Sequence, residues 1–299
     1  LVRSRGLGDV YKRQGLSDRR TGADARLRRF RTRVRVISIQ SQVVYGHVGN
    51  SAAVQPMQAM GLEVAAVPTT LLSNHPHYPT MRGRILETEL VADLLLGVEE
   101  RDLPMTSGAV VTGYMGSASN AAATAGFLRR WKAKNPALLH ICDPVIGDDD
   151  LGVFVAEGLI EQFRDELTPM ADIITPNQFE LGRLVGERPD TVEGVIEAAR
   201  ILNARGTGRT VVTGCVLADT APGEVETVAV EGGVAHRTSI PRIPIRPSGT
   251  GDLFTAYLTG WLMRGEALAE AAARATAGVQ TVLLRTQAAG AFEMRLTEG

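Results

Sequence analysis

Pro247-Ser248-Gly249-Thr250-Gly251-Asp252 is a short, flexible turn that runs straight into an apolar stretch ending near Met263. A turn of this kind lets backbone N–H groups converge, and a helix starting directly after it adds the positive end of its dipole. The product is a socket for an anion such as a phosphate. Inside it stands Asp252, a carboxylate that such a socket disfavours unless it has work to do. The obvious work is taking the proton of a hydroxyl as that hydroxyl attacks a phosphoryl group. The same residues permit a plainer reading, in which Asp252 caps the helix and the glycines only shape the turn. On these residues alone the two readings stand level.

The elements that must hold this turn read as strands alternating with helices. Val34 to Ser41 alternates β-branched and polar residues and predicts a first strand. A small-residue helix follows, with Asn50 or Ser51 expected as its N-cap and Gly61 as its stop. Further strands are predicted at Val64–Leu72, Ala109–Tyr114, Ala137–Asp143, Ala171–Thr175 and Thr210–Gly214. Helices are predicted over 85–100, 118–134 and 191–204, then over Leu253–Met263 and Leu268–Leu284. Between Glu224 and Pro247 short β-type pieces with Gly and Pro predict a hairpin just before the anion turn, where it could cover a nucleotide. This alternation argues for an α/β fold with a mostly parallel, doubly covered sheet. No fixed-period repeat or interdomain linker interrupts 34–299, which reads as a single domain.

In an open α/β sheet, ligands sit beyond the carboxyl ends of the strands. The polar residues at those ends are Ser41, the His75–Tyr78 loop with His77, Tyr114, Asp143, Asp148, Asn177, Glu180, Thr213 and Asp252. Each alone could be a cap, a turn former or a satisfied core residue. Together they point chemistry at one edge. Phosphoryl transfer needs a cation to offset the charge of a nucleoside triphosphate, and Mg²⁺ prefers carboxylate and water oxygens. Asp148, Asp143 and Glu180 are the available carboxylates. The Gly249-Thr250-Gly251 amides would stabilise the developing negative charge. The sequence has no Walker-type Gly-x-x-x-x-Gly-Lys-Ser/Thr, and no Gly-x-Gly-x-x-Gly follows the first strand, which argues against P-loop and Rossmann enzymes.

Composition sets the outer bounds. The chain has 299 residues, 44% of them apolar and 22% charged, enough for one large core. No apolar run approaches the roughly 18 residues needed to cross a bilayer, and no charged-then-apolar signal segment opens the sequence, so no membrane association is expected and the cytoplasm is the expected compartment. Cys142 and Cys215 sit in apolar, strand-like contexts and read as reduced core residues. Residues 1–35 hold twelve Lys/Arg against three Asp. Such an arm could bind nucleic acid. Residues 1–33 lack apolar periodicity, however, and read as a basic, disordered or non-native extension, with no nucleic-acid partner expected.

Ser38-Ile39-Gln40-Ser41, Tyr45 to Ser51, Ser73-Asn74-His75, Thr112-Gly113-Tyr114, Cys142 to Asp148, Ile174 to Glu180 and Gly249-Thr250-Gly251-Asp252 resemble, in order, the motifs of the pyridoxal kinases of the ribokinase-like superfamily. The resemblance runs from about residue 34 to the end. It implies a three-layer α/β/α fold around a mostly parallel central sheet, and ATP-dependent phosphorylation of the 5′-hydroxymethyl group of pyridoxal and related vitamers. It also implies Mg²⁺, K⁺ and a homodimer. Carried over to this sequence, Asp252 is the catalytic base beside Gly249, Thr250 and Gly251. Ser41, His75, His77 and Tyr114 lie on the substrate side. Asp143, Asp148, Thr175, Asn177, Glu180 and Thr213 lie on the nucleotide side, with Asp148 and Glu180 toward the metal. Arg237 and Ile240 fall where a loop covers the nucleotide. One departure touches the substrate loop: Pro76 stands where the family usually has Thr, His77 follows it, and Met81 replaces a common Trp. Two other readings remain. One is a kinase for hydroxymethylpyrimidine, although such kinases usually carry Cys at the position of Asp252. The other is a silent vitamer- or nucleotide-binding protein.

Overall fold

The computed structural model describes residues 35–297, so the basic stretch 1–33 lies outside the described residues. Its sheet contains β1 (Arg35–Val43), β2 (Glu63–Leu72), β3 (Gly83–Ile85), β4 (Ser107–Thr112) and β5 (Leu139–Cys142). A separate small hairpin pairs β6 (Gly147–Asp148) with β7 (Gly152–Val153). The main sheet continues with β8 (Ile173–Ile174), β9 (Arg209–Cys215), β10 (Glu224–Glu231) and β11 (Val234–Pro241). Its nine strands run in the order β11-β10-β9-β8-β5-β4-β1-β2-β3. The six from β9 to β2 are parallel, while β10, β11 and β3 are antiparallel additions at the two edges.

Helices cover both faces. They are α1 (Asn50–Ala59), α2 (Thr88–Glu99), α3 (Ala118–Lys134), α4 (Gln178–Val185), α5 (Val192–Ala204), α6 (Thr250–Met263) and α7 (Leu268–Ala288), besides shorter turns. The pleat divides the core between them. Ile37, Ile39, Val110 and Val212 pack on one face with Val91, Leu95, Phe127, Leu128, Leu181 and Leu202 from α2 to α5. Val36, Ala109, Val111 and Val211 pack on the other with Met57, Phe254, Leu258 and Ala271 from α1, α6 and α7. This is the three-layer α/β/α arrangement expected from the strand and helix alternation. Burial on both faces explains why the central strands read as continuous apolar runs. Truncating one fully buried anchor, Phe127→Ala, should cost about 3–5 kcal/mol.

Two local expectations are corrected. The N-cap of α1 is Gly49, with φ +53° and no side-chain cap. Asn50 instead donates its amide to the carbonyls of Gln40 and Val67, and Ser51 donates its hydroxyl to Val43, tying the helix start to the sheet. The helix expected over 85–100 starts at Thr88, because Gly83–Ile85 pairs with the end of β2 as an edge strand. Three residues are too few to show a period of two. The hairpin expected before the anion turn forms as β10 and β11. Cys142 and Cys215 are free and buried, as the sequence suggests, and burial pushes both thiols up to about 12. Among the described residues no helix is long and apolar enough to cross a membrane.

Candidate active site

The anion turn forms as the N-terminus of α6. Gly249 is its N-cap at φ +83°, and no side chain caps the helix. The first-turn N–H groups of an α-helix have no intrahelical acceptor, so this end is open to an anion. Gly249 is required twice over. Its φ favours glycine, and a Cβ there would lie 1.8 Å from the carbonyl oxygen of His47. The turn is therefore wedged against the loop between β1 and α1.

That loop supplies the partner of Asp252. The backbone N–H of Gly49, from a different segment, acts on the carboxylate and favours its charged form, while the N-cap of its own helix is Gly249, which has no side chain. Burial raises its pKa from 3.8 to about 6, with the Gly49 N–H opposing part of the rise. The residue nevertheless keeps some solvent exposure. A base that is mostly ionised at neutral pH and stays reachable suits proton abstraction. Gly49 is itself fixed by space, since a Cβ would lie 2.3 Å from both the carbonyl and the hydroxyl oxygen of Ser41. Ser41 is thus buried directly behind the segment that holds the base.

Asp143 follows β5 and faces the same turn; a Cβ on Gly251 would come 3.6 Å from its Oδ2. Burial raises its pKa well above the ordinary value, and the negative charges of Glu180 and Asp252 raise it further. Thr255, one turn into α6, places its hydroxyl 3.5 Å from that carboxylate and 2.8 Å from the hydroxyl of Thr175. Thr175, expected on the nucleotide side, is buried and spends its hydroxyl on Thr255.

Asn177 and Glu180 form a reciprocal capping box on α4. The Glu180 N–H donates to the Asn177 side chain, and the Asn177 N–H donates to the Glu180 carboxylate, each at 2.8 Å. Asn177 also donates to the carbonyl of Gly147, and Glu180 accepts the N–H of Ile146 at 2.9 Å and of Gly147 at 3.4 Å. These bonds fold the segment after Asp143. Glu180 is buried, its pKa raised to about 7 by desolvation against the opposing pull of those amides. Asp148 turns its own loop by accepting the N–H of Asp150 and Leu151. Thr213 bridges to Asn177 through backbone pairing.

On the other side, His75 is buried and His77 exposed in the β2–β3 loop, while Tyr114 is half-buried against the core with its phenol pKa raised by desolvation. Arg237 does not face the site as a free cation. Its guanidinium pairs with Asp219 at 2.6 Å and with Glu226 at 2.6 Å, and these two carboxylates hold it firmly charged. Ile240 pairs with Val225 in the edge hairpin. Sequence reading missed Gly49, Thr255, Ser248 and Glu293. Glu293 receives the Tyr78 hydroxyl at 2.6 Å and the His47 N–H at 3.0 Å. Ser248 stands 2.8 Å from Nδ1 of His77. Arg246, just before the turn, pairs with Asp150.

Cation chemistry can be tested on the charges. The charges of Glu180 and Asp252 both act on Asp143, and no Lys or Arg is among the groups acting on the three. Among the described residues no group of three or more His, Cys, Asp and Glu forms a ready-made metal cage. An oxygen-only set with no cationic side chain beside it suits a cation that keeps waters and phosphate oxygens in its shell, as Mg²⁺ does.

Comparison with known proteins supplies the context. The profile of the family described as phosphomethylpyrimidine kinase matches residues 47–295. A Bordetella avium protein named pyridoxine/pyridoxal/pyridoxamine kinase is 41% identical over 259 residues, covering 87% of this chain and 88% of the relative. A Leifsonia xyli protein named pyridoxal kinase PdxY is 40% identical, covering 89% of this chain and 94% of the relative. Among solved structures, pyridoxal kinase from Leishmania donovani in complex with ADP and pyridoxamine superposes with a TM-score of 0.80 at 28% identity, covering 88% of this chain and 93% of the other.

Proposed function

The chain belongs to the phosphomethylpyrimidine kinase family, and from that premise we propose that it is a pyridoxal kinase, transferring the γ-phosphoryl group of ATP to the 5′-hydroxymethyl group of pyridoxal and related vitamers. The observation that carries this reading is Asp252, a carboxylate held by the Gly49 N–H inside a helix-terminal anion socket, with its pKa at about 6. The substrate hydroxyl attacks the γ-phosphorus and gives its proton to Asp252. A new O–P bond forms as the bond to the β-phosphate breaks, and ADP leaves with that electron pair. The open amides at the start of α6 stabilise the charge that accumulates on the transferred group. Asp252 then returns the proton to solvent.

The remaining roles are assigned from the site. Ser41, His75, His77 and Tyr114 line the vitamer side, and Asp143, Asp148, Thr213 and Ile240 the nucleotide side. Asp143, Asp148 and Glu180 would hold Mg²⁺, directly or through its waters, and the ion would offset the charge of the triphosphate. Glu180 and Asn177 also shape the loop that carries Asp148. Arg237, bound to two carboxylates, is left out of the nucleotide set. A K⁺ requirement, a homodimer and a cytoplasmic location are further parts of the proposal.

The test is ADP release from Mg·ATP with pyridoxal, pyridoxine, pyridoxamine and hydroxymethylpyrimidine supplied separately. Turnover with pyridoxal is expected, and Asp252→Asn should abolish nearly all of it while ATP binding persists. Turnover with hydroxymethylpyrimidine alone, or with nothing despite ATP binding, would overturn the reading.

A further inference from the structure

Four segments distant in sequence meet at Glu293. Its carboxylate accepts the Tyr78 hydroxyl at 2.6 Å and the His47 N–H at 3.0 Å, and lies 2.8 Å from Nε2 of His75. A Cβ on Gly46 would come 2.8 Å from it, so the loop before α1 closes directly on the carboxylate. Its neighbours anchor it: Met294 is buried beneath the anion turn, in contact range of Gly249, and Phe292 stacks near the rings of His75 and Tyr78.

The protons in this cluster can be ordered from the donors. The backbone N–H of His77 points at Nδ1 of His75, so that nitrogen carries no proton, and Nε2–H donates to Glu293. Ser248 lies 3.3 Å from the same Nδ1 and 2.8 Å from Nδ1 of His77. One arrangement satisfies both contacts. His77 Nδ1–H donates to Ser248, the Ser248 hydroxyl donates to His75, and His75 donates to Glu293. The chain of donors runs from the β2–β3 loop, across the residue preceding Gly249, and ends on the only carboxylate within it.

We propose that Glu293 is a positioning residue for phosphoryl transfer, which through His75 and Ser248 holds the vitamer-side loop in register with the anion turn. The inference rests on the pyridoxal kinase reading and deepens it. Glu293 touches neither transferred atom. Its effect is on where the bound vitamer presents its hydroxyl relative to the start of α6. Replacing it by Gln keeps the volume but offers N–H groups or a weaker acceptor to a histidine that donates.

The test is a comparison of wild type, Glu293→Gln and Ser248→Ala in the full chain. Steady-state kinetics with pyridoxal and ATP, melting temperatures, and nitrogen NMR of labelled histidine side chains are measured on each. For Glu293→Gln the pyridoxal KM should rise by about tenfold, the scale of one lost charge-assisted hydrogen bond, while the ATP KM stays within about twofold. The His75 nitrogen signals should lose the Nε2–H tautomer pattern that wild type shows. For Ser248→Ala a pyridoxal KM rise of about three- to tenfold is expected with that pattern kept, since two neutral hydrogen bonds are lost while the His77 N–H still holds His75. Wild-type kinetics and spectra in Glu293→Gln would overturn the inference. So would equal loss of kcat and both affinities in step with a lowered melting temperature. A wild type inert toward every vitamer would instead overturn the kinase reading, and the nitrogen spectra would still decide whether Glu293 orders His75.

Discussion

Gly249→Ala probes the contact on which the socket and the base both depend. At φ +83° an alanine adopts the left-handed region at a cost of roughly 1–2 kcal/mol. Its Cβ would also lie 1.8 Å from the His47 carbonyl, a backbone atom that can clear only if the loop between β1 and α1 moves. Overpacking of this kind adds about 1–3 kcal/mol, for a total near 2–5 kcal/mol. At about 2–4 °C per kcal/mol for a domain of this size, the melting temperature should drop by roughly 4–20 °C. The kinetic effect follows from the same movement. The displaced loop carries Gly49, whose N–H holds Asp252, and a shift of about 1 Å in a catalytic group costs on the order of 10²-fold in rate. Gly265→Ala is the control. Gly265 has a similar φ of +89° but nothing within 4 Å of its Cβ position, so it should cost about 1–2 kcal/mol and leave kcat unchanged. The assay is calorimetric melting alongside pyridoxal-dependent ADP release. Equal effects of the two substitutions on both readouts would refute the argument that close approach, rather than backbone sign alone, matters at Gly249.

Asp252→Asn should lower kcat by about 10²–10⁴-fold and remove the acid limb of the pH profile, which in wild type should fall below a pH of about 6 as the base is protonated; an unaltered acid limb would assign it to another group. The same variant should gain about 1–3 kcal/mol of stability at pH 8, read by denaturant unfolding, because the neutral amide escapes the desolvation that disfavours the carboxylate. Asn177→Ala breaks the capping box and the bond to Gly147, and should cost about 1–2 kcal/mol and raise the ATP KM through the loop carrying Asp148; an unchanged ATP KM would separate that loop from nucleotide binding. Arg237→Ala leaves the buried Glu226 carboxylate unpaired and should destabilise by about 3 kcal/mol while the ATP KM stays the same; a large rise in that KM would restore Arg237 to the nucleotide site.

The sheet and its helices were legible because burial on both faces leaves apolar runs, and turns between them carry glycine and proline. Asp252 and the glycine turn were legible for a related reason: helix-terminal geometry is written in consecutive residues. What escaped is what tertiary folding alone selects. The partner of Asp252 comes from Gly49, about 200 residues earlier, and no local spacing announces it. Glu293 and His75 meet across 218 residues. The capping box at Asn177 and Glu180 has the regular spacing of three, yet both residues read as ligand contacts, because a carboxylate after a strand carries the same letters in either role. The partners of Arg237 are likewise set by strand pairing: Ser239 pairs with Glu226, which puts Arg237 on the diagonal to that buried carboxylate.

The electrostatics of the site follow from the same fold and have a definite sign. Desolvation raises the pKa values of Asp143, Glu180 and Asp252 together, and for Asp143 the charges of the other two add to the effect. A carboxyl whose pKa is higher folded than unfolded binds more protons in the native state, so stability declines as pH rises through the interval between the two values. For Asp252 that interval is 3.8 to about 6, below neutral pH, and for Glu180 it is 4.5 to about 7, reaching neutral pH. At neutral pH Asp252 therefore carries its charge at a cost to the fold, while Glu180 is partly protonated. Glu180 recovers part of that cost through three backbone amides, and Asp252 through one. The least compensated is Asp143, whose one stabilising contact is a hydroxyl at 3.5 Å. A cation arriving with the nucleotide would act most strongly there, which couples nucleotide binding to the charge state of Asp252, whose charge already acts on Asp143.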